Sequence, residues 1–260
     1  MCLSRRPQVS KVLMIEGTII RSGLLGEIPS LVFGMSTRLG GVSEQPFGMN
    51  VSFRVGDAEG DVQKNRELFL DQLGIRQEDL AIPIQIHSNF VHVVSSAGTY
   101  PDCDGLVSTI PGLFVGVTVA DCVPMILVDP VTKVVAAVHA GWRGADAGIA
   151  EVAIAIMMHE GGVKPGNIIA YLGPSAGVCC YEVGSEVASR FPGDTVANKN
   201  GQKFLDVRKA NRLQLIASGV DPKRIEESEL CTISERTLLH SFRRDGKNSG
   251  RMMAVVGFRG

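Results

Sequence analysis

Leu113-Phe114-Val115-Gly116-Val117-Thr118-Val119, Val123-Pro124-Met125-Ile126-Leu127-Val128-Asp129 and Lys133-Val134-Val135-Ala136-Ala137-Val138-His139 are three apolar, β-rich runs in close succession. Runs this short and this rich in Val and Ile predict buried strands. Ala120-Asp121-Cys122 separates the first two, and Asp129-Pro130 turns the chain into the third. Connections of a few residues cannot hold the crossover helix that parallel neighbours require. The fold class expected is therefore α+β with antiparallel or mixed sheets, and not a doubly wound parallel sheet. Outward from this segment, strands are expected at Leu31–Thr37, Ala81–Ile86, Val91–Val94, Ile168–Leu172 and Met252–Phe258. Helices are expected at Asp61–Leu73, capped by Asp61 and ended by Gly74, and from Gly141-Trp142-Arg143-Gly144 to about Glu160. Further helices are expected near Gly184–Phe191, over Asp206–Ser218, and after Thr232-Ile233-Ser234-Glu235, which matches a capping box.

No repeat, charge run or Pro/Ser-rich linker divides the 260 residues, so a single domain over 1–260 is expected. A net charge of −1, with one Trp and three Tyr, argues against a nucleic-acid partner. The apolar stretch from Gly112 to Val128 is broken by Asp121 and reads as strands, so no membrane partner is expected. Six cysteines without a spaced framework indicate a reducing, cytoplasmic compartment. Arg5 and Arg6 are not followed by the apolar run of a secretory signal. The sequence leaves the oligomeric state open.

Polar residues at the ends of buried strands carry the chemistry. His87, Cys122 and His139 all lie at such ends. One thiolate with two imidazoles suits zinc or copper and leaves a fourth position open. Their wide spacing is equally compatible with a small buried cysteine and two ordinary strand-end histidines. His139-Ala140-Gly141-Trp142-Arg143-Gly144 forms a strand-to-helix junction in which Arg143 and helix amides can meet an anion, or which simply packs tightly. Thr37-Arg38-Leu39-Gly40-Gly41-Val42-Ser43 is a Gly-rich loop, without the order of a P-loop. Cys179-Cys180 reads as a pair of small packing residues, because neighbours on a strand face opposite ways. A metal or redox role for them is the alternative.

Together, Thr37–Ser43, Gln85-Ile86-His87, Asp104-Gly105-Leu106, Thr118–Cys122, Val138–Gly144, Gly173-Pro174 with Cys180–Gly184, Ser241–Gly246 and Gly250-Arg251 resemble the YfiH family, also called the laccase-domain family. The resemblance runs from about Leu31 to the C-terminus. It implies a CNF/YfiH-like, cysteine-hydrolase-type α+β fold of packed mixed β-sheets flanked by helices. It also implies a metal triad at His87, Cys122 and His139. The activity implied is zinc-dependent phosphorolysis of adenosine, inosine, guanosine and 5′-methylthioadenosine, with adenosine deamination beside it. Nucleoside and phosphate are the implied partners. Arg38 and Arg143 are expected to hold anions and Trp142 to line the substrate site. Asp104 and Asp121 are expected to orient groups, move protons or contact substrate. The sequence departs from the family pattern at Ser175-Ala176-Gly177. Three alternatives stand beside this reading. They are a copper polyphenol oxidase, for which five histidines are few, a metal-free cysteine hydrolase or peptidoglycan-precursor editing enzyme built on Cys122 and His139, and a binding module with a structural zinc, for which three evident ligands are one short.

Overall fold

Along Val123–Asp129 every side chain is buried, and successive residues enter different cores. Met125 and Leu127 pack with the helix Ile149–Gly161 through Ile149, Ala153 and Met157. Ile126 and Val128 pack with Val115, Val117, Ala254 and Val256 of a second sheet. The period-two alternation of a strand sends side chains to two covered faces, so Val123–Val128 is uniformly apolar and Asp129 ends the run. The computed structural model describes residues 14–260. The readings on Cys2, Arg5 and Arg6 lie outside the described residues.

Two sheets stack between helical layers. One has the strand order Met14–Glu16, Ile19–Arg21, Leu31–Ser36, Met252–Phe258, Phe114–Val119, Leu80–Pro83 and Gly98–Tyr100. The other runs Ile225–Glu227, Ile169–Leu172, Val123–Asp129, Val134–Ala140, Gly105–Ser108 and Val91–Val94. The helix Glu59–Leu73 covers the first sheet through Phe69, Leu70 and Leu73. Both sheets contain parallel and antiparallel pairs, as expected of a mixed α+β fold. A small sheet of Glu182–Val183, Gln202–Leu205 and Val196–Lys199 lies apart from them.

Several boundaries differ from those expected, each for a local reason. The strand expected at Ala81–Ile86 ends at Pro83. Beyond it the Gln85 side chain imitates the backbone: Thr118 N–H donates to its Oε1 at 2.9 Å, and its Nε2 donates to Thr118 O at 2.8 Å. The helix expected to be capped by Asp61 begins at Glu59, and Asp61 lies in its first turn, where its charge favours the helix dipole. The long helix after Gly141 is two helices, Trp142–Asp146 and Ile149–Gly161, parted by Gly148 in the left-handed region (φ 74°). The helix near Gly184–Phe191 is only Ser185–Ala188. Thr232 does not cap a helix. Its hydroxyl donates to Asp121 Oδ1 at 2.6 Å, and the last helix is Phe242–Asp245, capped by Ser241. Residues 178–180 form a turn, so the opposite-face argument for Cys179 and Cys180 does not hold.

Candidate metal centre and cleft

Of the chain's crossings between the sheets at one end of the stack, one follows Leu80–Pro83 and another follows Phe114–Val119. His87 lies on the first crossing and Cys122 on the second. The antiparallel register sets His139 opposite Pro124, which returns it to the same end. This topology brings the three residues together from distant sequence positions. One ligand atom from each lies within 4.8 Å of the others, and the two imidazole rings meet edge to face at 4.9 Å.

One carboxylate organises both histidines. Asp104 is fully buried and accepts the backbone N–H groups of Ile86 (3.2 Å), His87 (3.0 Å) and Ser88 (2.6 Å), together with the Ser88 hydroxyl (2.8 Å). These bonds hold His87 in the left-handed backbone region at φ 62°, which is unfavourable for a residue with a Cβ. His139 Nδ1 also meets Asp104 Oδ1 at 2.8 Å, which leaves Nε2 for the centre. Burial pushes the Asp104 carboxyl up, but its bonds to His139 and Ser88 outweigh this and bring it down to about 2. Asp104 is thus engaged by five donors and stands behind the two histidines, not in the cleft where substrate contact would place it. Asp121, also in the left-handed region at φ 91°, lines the cleft. Its carboxylate accepts the Thr232 hydroxyl and the Arg243 N–H, both at 2.6 Å.

Burial raises the Cys122 thiol, but the charge and hydrogen bonds of His139 and His87 prevail and lower it to about 6. Burial opposes charging of His139, yet the Cys122 thiolate and Asp104 raise it to about 9. Without a bound ion the two groups form a thiolate–imidazolium pair between these limits. Iodoacetamide should accordingly modify Cys122 in chelator-stripped protein with a half-maximal rate near pH 6, against about 8.5 for an ordinary thiol. A midpoint above 8 would refute the pair.

The donor set fits a borderline or soft metal ion: one thiolate, and at least one imidazole oriented by a carboxylate. Gly141 keeps the space clear. A Cβ there would lie 2.9 Å from Cys122 Sγ and 3.4 Å from His87 Cδ2. The centre opens into a cleft of about 760 Å³. Its walls carry five arginines, Arg54, Arg66, Arg143, Arg243 and Arg251, against one acid, Asp121. Four of the guanidiniums lie over aromatic rings: Arg66 on Phe53, Arg143 on Trp142, Arg243 on Tyr181 and Arg251 on Phe242. Arg66, Arg243 and Arg251 also donate to backbone carbonyls. The guanidiniums of Arg143 and Arg54 donate to no described residue, which leaves their N–H groups available. Arg38 is not in the cleft wall, and its guanidinium donates to Arg236 O and Pro46 O. Sequence reasoning missed Arg54, Arg66, Arg243 and Arg251 as individual site residues. For Arg243 and Arg251, the Ser241–Gly246 and Gly250-Arg251 segments were the available signal.

Fold and site define an α+β protein with a Cys-His-His centre at the floor of a cationic cleft. The chain belongs to the YfiH, or laccase-domain, family: the family model described as multi-copper polyphenol oxidoreductase laccase matches residues 32–259. Purine nucleoside phosphorylase YlmD of Geobacillus stearothermophilus is 34% identical over 247 residues, covering 88% of this chain and 90% of that protein. Adenosine deaminase RL5, from an unknown prokaryotic organism, is 37% identical over 227 residues, covering 80% and 86%. The crystal structure of YlmD from Geobacillus stearothermophilus superposes with a TM-score of 0.90 at 33% identity, covering 95% of this chain and 99% of that one. That of the Bacillus licheniformis protein YfiH gives 0.88 at 32% identity, covering 94% and 97%. No described helix is long and apolar enough to cross a membrane.

Proposed function

We propose that the chain is a zinc-dependent purine nucleoside phosphorylase with adenosine deaminase activity, acting on adenosine, inosine, guanosine and 5′-methylthioadenosine. The observation that carries this reading is the Arg143 guanidinium, stacked on Trp142 and donating to no described residue, in the same cleft as the Cys-His-His centre. The two relatives bearing these activities in their names support it. His87, Cys122 and His139 would hold the ion, which supplies Lewis acidity and orients an oxygen nucleophile. In phosphorolysis a phosphate oxygen forms a bond to the ribose anomeric carbon. The carbon–nitrogen bond breaks, its electron pair leaves with the purine, and the purine takes up a proton. Arg143, with Arg54, binds the phosphate. The aromatic walls, Trp142 among them, shelter the base. Asp104 orients His139, and Asp121 fixes the loop that carries Cys122.

The test is metal analysis of the purified protein together with an assay of adenosine and phosphate for ribose 1-phosphate and adenine. Absence of both products in zinc-loaded protein would refute the reading. Arg143→Ala should lower phosphorolysis by 10- to 100-fold, about 1.4–2.8 kcal/mol, and raise the phosphate requirement. Deamination, whose nucleophile is uncharged water, should fall less than threefold. Equal losses would assign Arg143 to the nucleoside instead.

A second reading uses the same atoms as a Cys122–His139–Asp104 hydrolase triad, favoured by the lowered Cys122 thiol. His87 has no role in that arrangement, and chelation would leave such an enzyme active. Against the oxidase named in the family model, only one cluster among the described residues contains more than one histidine.

A further inference from the structure

Apart from the His87–Cys122–His139 centre, the described residues contain one other group of converging ligand atoms. The sulfurs of Cys179, Cys180 and Cys231 all lie within 4.8 Å of one another. The first two sit in the turn 178–180, and the third pairs with Ser175 in an isolated bridge. Three thiolates bound to one ion at about 2.3 Å stand about 3.8–4.0 Å apart, so small side-chain rotations close the group on an ion. Cys231 is buried, Cys180 half-buried and Cys179 exposed, which gives the cluster a closed floor and an open mouth.

Three further features suit the cluster. The Gly177 N–H donates to Cys231 Sγ at 3.2 Å. A Cβ on Gly177 would stand 3.3 Å from Cys179 Sγ and 3.5 Å from Cys231 Sγ, so the missing side chain leaves the sulfurs room to meet. Lys199 Nζ donates to Val178 O at 3.0 Å and ties the turn that carries Cys179 and Cys180 to the strand Val196–Lys199.

We propose that Cys179, Cys180 and Cys231 form a second metal site, which takes one thiophilic d10 cation, Cu⁺ or Zn²⁺, through three thiolates. Soft sulfur donors without carboxylate or imidazole select ions of this class. The ion joins the segments 176–180 and 231–232. Both already hold Asp121: Ala176 N–H donates to its carbonyl at 2.8 Å and the Thr232 hydroxyl to its carboxylate at 2.6 Å. The second site thus braces the loop that carries Cys122 from behind, without facing the substrate.

The test uses the full chain with His87→Ala and His139→Ala, which removes the imidazoles of the first centre. Cd²⁺ is the probe because its thiolate charge-transfer absorption scales with the number of bound sulfurs. After loading under reductant and desalting, one Cd²⁺ per chain should remain, with the absorption of three thiolates. Adding Cys231→Ser should weaken retention at least tenfold. If that variant fails to fold, Cys180→Ser on the half-buried side serves instead. Competition with a Zn²⁺ chelator and with a Cu⁺ chelator then identifies which ion binds more tightly, and tight binding of either supports the site. The proposal is overturned if the folded double variant retains no Cd²⁺. Undiminished retention after loss of Cys231 or Cys180, or the absorption of a single thiolate, would also overturn it.

Discussion

Replacing Asp104 with Asn should lower the unfolding free energy by about 2–4 kcal/mol and weaken metal binding about 10- to 100-fold. The carboxylate takes five donors, four from Ile86–Ser88 and one from the His139 ring. An amide has a single acceptor oxygen and brings two unwanted donors into a fully buried space. It cannot satisfy the three backbone N–H groups and the imidazole together. The loss should also depend on pH in a defined direction. Asp104 titrates near 2 in the folded protein and near 3.9 when unfolded, so its contribution is complete above about pH 4 and is lost as the pH falls toward 2. Denaturant melts of the two proteins, with chelator present, should therefore differ most at neutral pH and converge in acid. A constant difference at every pH would mean that Asp104 acts through shape alone. Retention of full metal affinity would mean that it does not orient His139.

Cys122→Ala should reduce both phosphorolysis and deamination by about 10³-fold or more, roughly 4 kcal/mol of transition-state stabilisation, and should abolish stoichiometric zinc at the first centre. Fold stability should change by less than about 1.5 kcal/mol. Cys122 is small and only half-buried, and three apolar clusters hold the fold without it. Metal counted per chain after dialysis, alongside turnover and a thermal melt, separates these effects. A variant that lost turnover but kept zinc on His87 and His139 would favour the cysteine-hydrolase reading.

The parts of the fold readable in the sequence are those with a one-dimensional cause. Val123–Asp129 and Met252–Phe258 are covered on both faces, so every residue except the terminal, buried Asp129 is nonpolar and both ends are marked; the expected and observed limits coincide. Gly105–Ser108 is a four-residue central strand with no alternation, and nothing local distinguishes it from a loop. The capping box at Thr232 misled because a distant carboxylate competes for its hydroxyl. His87, Cys122 and His139 could be proposed as strand-end residues, and their meeting follows from sheet register. The cationic wall is different. Arg54, Arg66, Arg143, Arg243 and Arg251 come from dispersed segments, and their grouping exists only after folding. Arg38, expected from the resemblance to hold an anion, is instead occupied by tertiary contacts to Arg236 and Pro46.

The stacking of four of these guanidiniums on aromatic rings has an electrostatic consequence. The chain as a whole carries a charge of only −1, so it exerts little attraction on a distant anion. Within the cleft, the positive charge is held in place before any ligand arrives, and low-dielectric walls concentrate its field. At physiological ionic strength that field reaches about 8 Å. An anion therefore meets a nearly neutral molecule until it is at the mouth, and only there a strong local potential. Because the rings already restrain the side chains, capture incurs little further loss of rotamer entropy.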